Sequence, residues 1–440
     1  MEKSANSNEL QQGFCKNNNP SIPFTFLPKE ILLHIFSFLP SKRDLCSISE
    51  CCKYFQTLAF DCNLWHWKHL KLNYFKRKLK NQHLDSILIR SSKVQHLDLS
   101  KLAIDYEMLS KGLYSFSSVE VLVLKDCKLL TDECIRSMLS KMPKLRKLNL
   151  SGNSKITDDA FVGGTLEYLR DLEVIYLAGT NVKAIELEKC YSKLKNLSRI
   201  DLSKTNVTKE TICKMLVSDG DRNLKKLCLQ GCELDKVALL RIGKIASHLE
   251  NLNINASRAT FDVNDLALLV HEVANENLKQ IHLSALGQVN DKIVVNLSRC
   301  LNLEVIDLSY NSRITNASIA ILLQGCRKLK KLRLNGNYEI TDQAFLSIKS
   351  QTDLLEVELS GLTDLGDSGL CHLIRNSSQL RDLNISQCSS ISLQTFLVVV
   401  ECLKGLKGIS IAQCKQLDQA KVAQLLFQHF SNLNFRTSKK

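Results

Sequence analysis

The stretch Val94-Gln95-His96-Leu97-Asp98-Leu99 places apolar residues three and then two apart, and the same L-x-x-L-x-L grid returns down the chain. Clear copies stand at Leu145/Leu148/Leu150, Leu172/Ile175/Leu177, Leu197/Ile200/Leu202, Leu303/Ile306/Leu308 and Leu329/Leu332/Leu334. Counted by its middle residue, the grid falls at Leu97, Leu122, Leu148, Ile175, Ile200, Leu227, Leu252, Ile281, Ile306, Leu332, Val357, Leu383 and Ile409. The steps are 25, 26, 27, 25, 27, 25, 29, 25, 26, 25, 26 and 26 residues, with a partial fourteenth copy at the end. Alternation in Leu148-Asn149-Leu150 sends the leucines to one face of a strand and Lys147, Asn149 and Ser151 to the other. So short a strand must find its neighbours in the adjoining copies, which gives one parallel, curved sheet.

A period of this length holds one short strand and one helix, the spacing of leucine-rich repeats. After each strand come helix-start signals: Leu130-Thr131-Asp132, Ile156-Thr157-Asp158, Ile314-Thr315-Asn316 and Ile340-Thr341-Asp342. Thr accepts a backbone N–H at an N-cap, and Asp in the first turn suits the positive end of the helix dipole. Apolar residues such as Ala344, Phe345 and Ile348 then pack behind the strand. No copy can bury that face alone, so stability comes from stacking. The longest step, Leu252 to Ile281, is expected to bulge. The fold class is α/β: a solenoid with a curved parallel sheet and outer helices, preceded by a small all-α block. A surface of this kind has no catalytic cleft, and the expected role is binding.

Composition narrows the class further. The chain is 44% hydrophobic, which excludes wholesale disorder. No run of 18 apolar residues exists, so no membrane span is expected, and the polar start MEKSANSNELQQGFCKNNNP lacks the apolar core of a secretory signal. Seventeen cysteines in a chain without an export signal point to free thiols in the cytoplasm and/or the nucleus. Cys127, Cys232, Cys388 and Cys414 share one slot, three residues after the last grid residue, where other copies carry Asn153, Asn311 and Asn337. They read as buried thiols filling small gaps. Cys51-Cys52 has no second pair or histidine set to complete a zinc site, so neither metal nor cofactor is expected. The +14 net charge is spread unevenly: no acid stands between Asp61 and Asp85, where Lys68, Lys71, Lys76, Arg77, Lys78 and Lys80 occur, and 69–90 is read as a solvated basic connector. Neither a nucleic-acid partner nor a membrane partner is expected. P-loop, G-x-S-x-G and H-E-x-x-H motifs are lacking from the sequence, so no catalytic residue is assigned.

Ahead of the grid, residues 1–21 are polar and read as disordered, while 22–68 form an apolar block. Pro28 suits a first helical position and Glu30 the helix N-terminus. The helix Glu30–Leu39 is then apolar nearly all round, through Ile31, Leu32, Leu33, Ile35, Phe36, Phe38 and Leu39. About forty residues cannot bury so much apolar surface privately, and the excess needs a partner. The order Leu27-Pro28, Glu30-Ile31-Leu32, Ile35-Phe36, Leu39, then Asp44-Leu45, Cys52, Phe55 and Leu64-Trp65 resembles an F-box. Followed by cysteine-bearing repeats over 91–435 and a short tail at 436–440, it resembles the F-box/leucine-rich repeat family.

That resemblance implies a non-catalytic substrate-recognition subunit of an SCF-type (Skp adaptor–cullin–F-box) E3 ubiquitin ligase. The F-box would dock on the Skp-type adaptor, S-phase kinase-associated protein 1, and through it on a cullin-RING scaffold. The adaptor face is expected at Leu27, Pro28, Ile31, Leu32, Ile35, Phe36, Leu39, Leu45, Ile48 and Trp65. The repeats would hold a protein substrate, with Tyr176, Arg199, Asp201, His282, Asp307, Arg333, Glu356 and Glu358 as candidate contacts on the strand face. The alternative is a repeat scaffold that binds partners without ubiquitin transfer.

Overall fold

The computed structural model describes residues 27–39, 42–59, 61, 69–72, 88, 93–104, 116–217, 224–349 and 353–437. The chain divides into two units, residues 1–67 and 68–440.

The first unit carries three short helices: α1, Lys29–Ser37; α2, Lys42–Ser49; and α3, Lys53–Ala59. Pro28 sits at the N-cap of α1, one position earlier than expected, and its carbonyl accepts the N–H groups of Ile31 and Leu32 at 3.1 Å each. Leu32 and Phe36, one turn apart, face inward and with Leu45, Leu58 and Ala59 are the buried apolar set among this unit's described residues. Phe36 packs edge-on against Phe55, with ring centroids 5.5 Å apart.

In the second unit every grid residue is the centre of a three-residue strand, and the strands form one 15-stranded parallel sheet. Leu97 pairs with Leu122, Leu122 with Leu148 and Leu148 with Ile175, and the file continues in register to Ile409. The middle residues are essentially fully buried. Strands lie about 4.8 Å apart, whereas packed helices need about 8–10 Å, and this mismatch curves the stack with the sheet inside.

Two strands extend the grid. Asn434–Arg436 closes the partial last copy against Gly408–Ser410. At the other end, His69–Lys71 pairs with His96–Asp98 and buries Leu70 and Leu72, so the sheet begins inside the segment read as a basic connector. The 29-residue step does not break the register, because Asn251 pairs with Gln280 like any other copy. Its extra length goes into the strand Arg258–Thr260, which pairs with Glu233–Asp235 in a separate two-stranded sheet, and into the 11-residue helix Val263–Val273.

The turn after each strand repeats to the residue. Two positions beyond the last grid residue the backbone is left-handed thirteen times. Eight cases are non-glycine (Lys101, Asp126, Lys204, Ala256, Ala285, Tyr310, Gln387, Gln413), and the rest are Gly152, Gly179, Gly231, Gly336 and Gly361. None is β-branched, the side-chain type this conformation tolerates least. The turn aims the next side chain inward. There Asn153 Nδ2 donates to the carbonyls of Leu124 and Leu150 at 2.8 and 2.7 Å, the first in the preceding repeat. Asn311 and Asn337 do the same to Leu283 and Leu308, each at 3.0 Å. The cysteines are more than gap fillers: Cys127, Cys232, Cys388 and Cys414 donate S–H to Leu99, Leu202, Leu359 and Ile385 at 3.1–3.2 Å. Burial pushes the Cys127 and Cys232 thiols up to about 11 and Cys388 to about 12, so they stay protonated donors. Thr180, Thr205 and Ser257 fill the same slot.

The outer elements hold a correction. Thr157 and Thr341 cap their own turns through Asp159 and Gln343, while Thr131 and Thr315 make no such bond. An acidic residue in the first turn of a helix reaches instead to the next repeat. Asp132 accepts the N–H and O–H of Thr157 at 2.8 and 2.7 Å, and Asp291 does so from Thr315 at 2.8 Å each. Asp158–Phe161 and Asp342–Ala344 are 3₁₀ turns in place of the expected α-helices.

Replacing Asn153 tests the donor slot. Asn153→Ala strands two buried carbonyls and should cost about 2 kcal/mol or more. Asn153→Cys restores the donor used by Cys127 and should cost clearly less, as read from urea-unfolding midpoints.

Candidate functional site

On α1 the apolar residues divide by helical phase. Ile31 and Ile35 are 47% and 37% exposed, and Phe38, just past the helix end, is 72% exposed. With Pro28, also exposed, they follow steps of three, four and three residues and make one outward stripe. Burial of Leu32, Phe36 and Leu45 removes those three from the expected docking set: they are this unit's own core. Leu27, Leu39 and Ile48 are half-buried, and Trp65 lies outside the described residues. Phe38 was missed from that set, although its place seven residues after Ile31 and three after Ile35 puts it on the same face. His34 braces it, edge to face, with centroids 4.8 Å apart. Lys29 Nζ ties the start of α1 to Asp61 at 2.9 Å.

The strand face of the repeats has two sectors of different electrostatics. Toward the carboxyl end the charges neutralise one another. Arg333 donates Nε to Glu358 at 2.9 Å and Nη2 to Glu356 at 2.7 Å. Lys331 Nζ reaches the other Glu356 oxygen at 2.5 Å, and Asn335 Nδ2 donates to Glu358 at 2.8 Å. Burial opposes charge on Glu356, but Lys331 and Arg333 outweigh it and hold the carboxyl below its ordinary value. Burial likewise opposes charge on Arg333, and Glu358 and Glu356 hold the guanidinium above its ordinary value. Asp307 is buried, accepting Ser309 N–H at 3.1 Å and Asn255 Nδ2 at 3.1 Å, so it is a framework residue and not an open contact. His282 is half-buried, and desolvation lowers its pKa against the pull of Asp307.

Toward the amino end the face is open. Tyr176 is half-buried, with Lys226 Nζ 5.7 Å from its ring centroid. Arg199 is exposed, and Asp201 accepts the N–H of Ser203 at 3.0 Å. The structure thus brings Tyr176, Arg199 and Asp201 together in one sector and Arg333, Glu356 and Glu358 in another. Among the described residues no group of three or more His, Cys, Asp or Glu side chains is placed to hold a metal ion. No described helix is long and apolar enough to cross a membrane.

An F-box-like family model matches residues 24–71, the segment that contains α1 to α3. The chain thus carries an F-box-like segment ahead of a leucine-rich repeat solenoid. It is similar to the F-box protein SKIP19 of Arabidopsis thaliana, 27% identical over 180 residues, which is 40% of this chain and 54% of that protein. It is similar also to lysine-specific demethylase 2B of Mus musculus, 26% identical over 65% of this chain but only 18% of the relative. The chain therefore spans about half or less of the length of these curated relatives. Among solved structures, a chain of the yeast Rad7–Elc1 complex superposes with a TM-score of 0.57 at 18% identity, covering 90% of this chain and 92% of that one. This likeness shows the shared repeat fold.

The carboxyl-end network sets a pH dependence. Glu356 is depressed in the folded state, so its contribution is present above the ordinary carboxylate range, near pH 4.5, and is lost as pH falls through its lower folded value. Arg333→Ala should therefore cost about 2–3 kcal/mol at neutral pH. The gap from the parent chain should close below about pH 4 as the carboxylates protonate, measured by urea unfolding across pH.

Proposed function

We propose that this chain is the substrate-recognition subunit of an SCF-type E3 ubiquitin ligase. The F-box unit docks on a Skp-type adaptor, the adaptor joins it to a cullin-RING scaffold, and the repeats hold target proteins for ubiquitination and proteasomal degradation. The observation that carries this reading is the stripe Pro28–Ile31–Ile35–Phe38, unpartnered apolar surface on the helix that the F-box-like match covers. Burying such side chains contributes about 1.5–3 kcal/mol each before association costs.

The role is that of receptor and not catalyst. The buried thiols are pushed well above neutrality, which leaves them poor nucleophiles for a thioester relay. The expected compartment is the cytoplasm and/or the nucleus.

Co-purification of the intact chain with the adaptor and a cullin is the direct test. Ile31→Asp/Phe38→Asp should weaken adaptor binding roughly hundredfold, the value of two lost apolar anchors, without moving the unfolding transition of the repeats. Leu32→Ala should instead destabilise the F-box unit itself. Undiminished adaptor binding by the double variant would sink the docking assignment. Adaptor without cullin in the complex would favour a scaffold that transfers no ubiquitin.

A further inference from the structure

We propose, resting on the receptor reading above, that the amino-terminal sector of the repeat sheet binds an extended acidic peptide carrying one apolar anchor. The sector runs from the strand His69–Lys71 to the strand Lys226–Cys228.

Charge is the first observation. In the carboxyl-end sector Lys331 and Arg333 each have an anion at hand, in the network with Glu356 and Glu358. In the amino-end sector Lys71, Lys147 and Arg199 make no ion pair or side-chain hydrogen bond among the described residues, and Lys226 has only the face of Tyr176. The two carboxylates of this sector, Asp98 and Asp201, are engaged with Ser100 and Ser203 in their own turns. The amino end is thereby left with a cationic floor. The same field is felt by His96, held below its ordinary value first by burial and then by His69, Lys71 and Lys147.

Apolar surface is the second. Sheet positions that face away from the core are normally polar, yet here they include Val121, Val123 and Val174. With Tyr176 these valines line a depression of about 140 Å³, room for one side chain, rimmed by Lys147 and Arg199.

Register turns these features into a spacing. Lys147, Val174, Arg199 and Lys226 occupy the same position of four successive strands. At about 4.8 Å per strand, Lys147 and Arg199 stand about 10 Å apart with the valine between, and Lys226 one strand farther. An extended peptide crossing the strands advances about 3.4 Å per residue, so carboxylates at positions i, i+3 and i+4 meet the three cations. An aliphatic residue between the first two then drops into the depression. A single-stranded nucleic acid fits less well, because such ligands stack successive bases on several aromatics and Tyr176 is the one non-histidine aromatic among the described strand-face positions here.

The probe is a fluorescein-labelled peptide Gly-Glu-Ser-Leu-Glu-Glu-Gly, titrated into the intact chain co-purified with its adaptor and read by anisotropy. It should bind saturably, and raising ionic strength from about 0.1 M to about 1 M, which cuts the screening length from about 10 Å to about 3 Å, should weaken it. Lys147→Glu/Arg199→Glu should weaken binding roughly tenfold or more, the scale of two lost rim pairs plus repulsion. Lys195→Glu/Lys214→Glu, an equal charge change at exposed positions off the strand face, should not. A probe with Ser for Leu, and the Tyr176→Ala variant, should each bind more weakly. Equal weakening by both charge pairs, equal binding of a lysine-for-glutamate probe, or tighter binding of a uridine oligomer would overturn the proposal. Adaptor co-purification without peptide binding would sink this inference and leave the receptor reading standing. Peptide binding without the adaptor would do the reverse.

Discussion

The repeats of this protein lean on one recurring interaction: a short donor, amide, thiol or hydroxyl, turned inward after ten of the thirteen grid strands to hold backbone carbonyls. In eight of them it holds a carbonyl of the repeat before, while Leu102, Leu286 and Leu362 fill the slot in the other three. Three-residue strands give each pair of neighbours few ladder bonds, and the curved stack leaves carbonyls behind the sheet with no strand to answer them. A buried, unanswered carbonyl costs about 1–3 kcal/mol, which a chain of repeats could not absorb many times over. Asn153 and Asn311 meet the need by donating to carbonyls of both repeats, Asn337 with one N–H bond to the repeat before, and Cys127, Cys232, Cys388 and Cys414 with a weaker S–H. The left-handed residue just before the donor is the conformational cost of that aim, which is why the position excludes β-branched side chains.

A second tie runs on the outer side, where Asp132 and Asp291 hold the N-caps of the following repeats. The two ties point in opposite directions along the stack, the inward donor to the repeat before and the outer carboxylate to the repeat after. A repeat that makes both ties is clasped from two sides, and the sheet also keeps its register across the 29-residue step.

Much of this was legible in the residues, because burial follows period. The leucine grid marked thirteen strands by their centres, and the N/C slot marked the ladder. His69-Leu70-Lys71-Leu72 escaped notice because Trp67 stands where the first leucine of the grid belongs and lysines dominate the neighbourhood. The sorting of α1 into core and stripe needed the third dimension: in a helix apolar all round, composition does not say which residues face in, and only the packing of α1 on α3, where Phe36 meets Phe55, decided that Leu32 and Phe36 do. On the strand face, Asp307, Arg333 and Glu356 looked like contacts because they are charged and outward-pointing. Their partners lie one or two strands away, at separations of 23 to 52 residues that no local pattern reveals.

The recurring donor slot has an evolutionary corollary. Where a repeat presents the acceptor on one side and the donor on the other, a copy gained or lost by unequal crossing-over joins its new neighbours with no mismatch at the seam, whereas Leu102, Leu286 and Leu362 mark seams without that bond. On such a frame the outward strand residues can diversify one copy at a time without disturbing the stack that carries them.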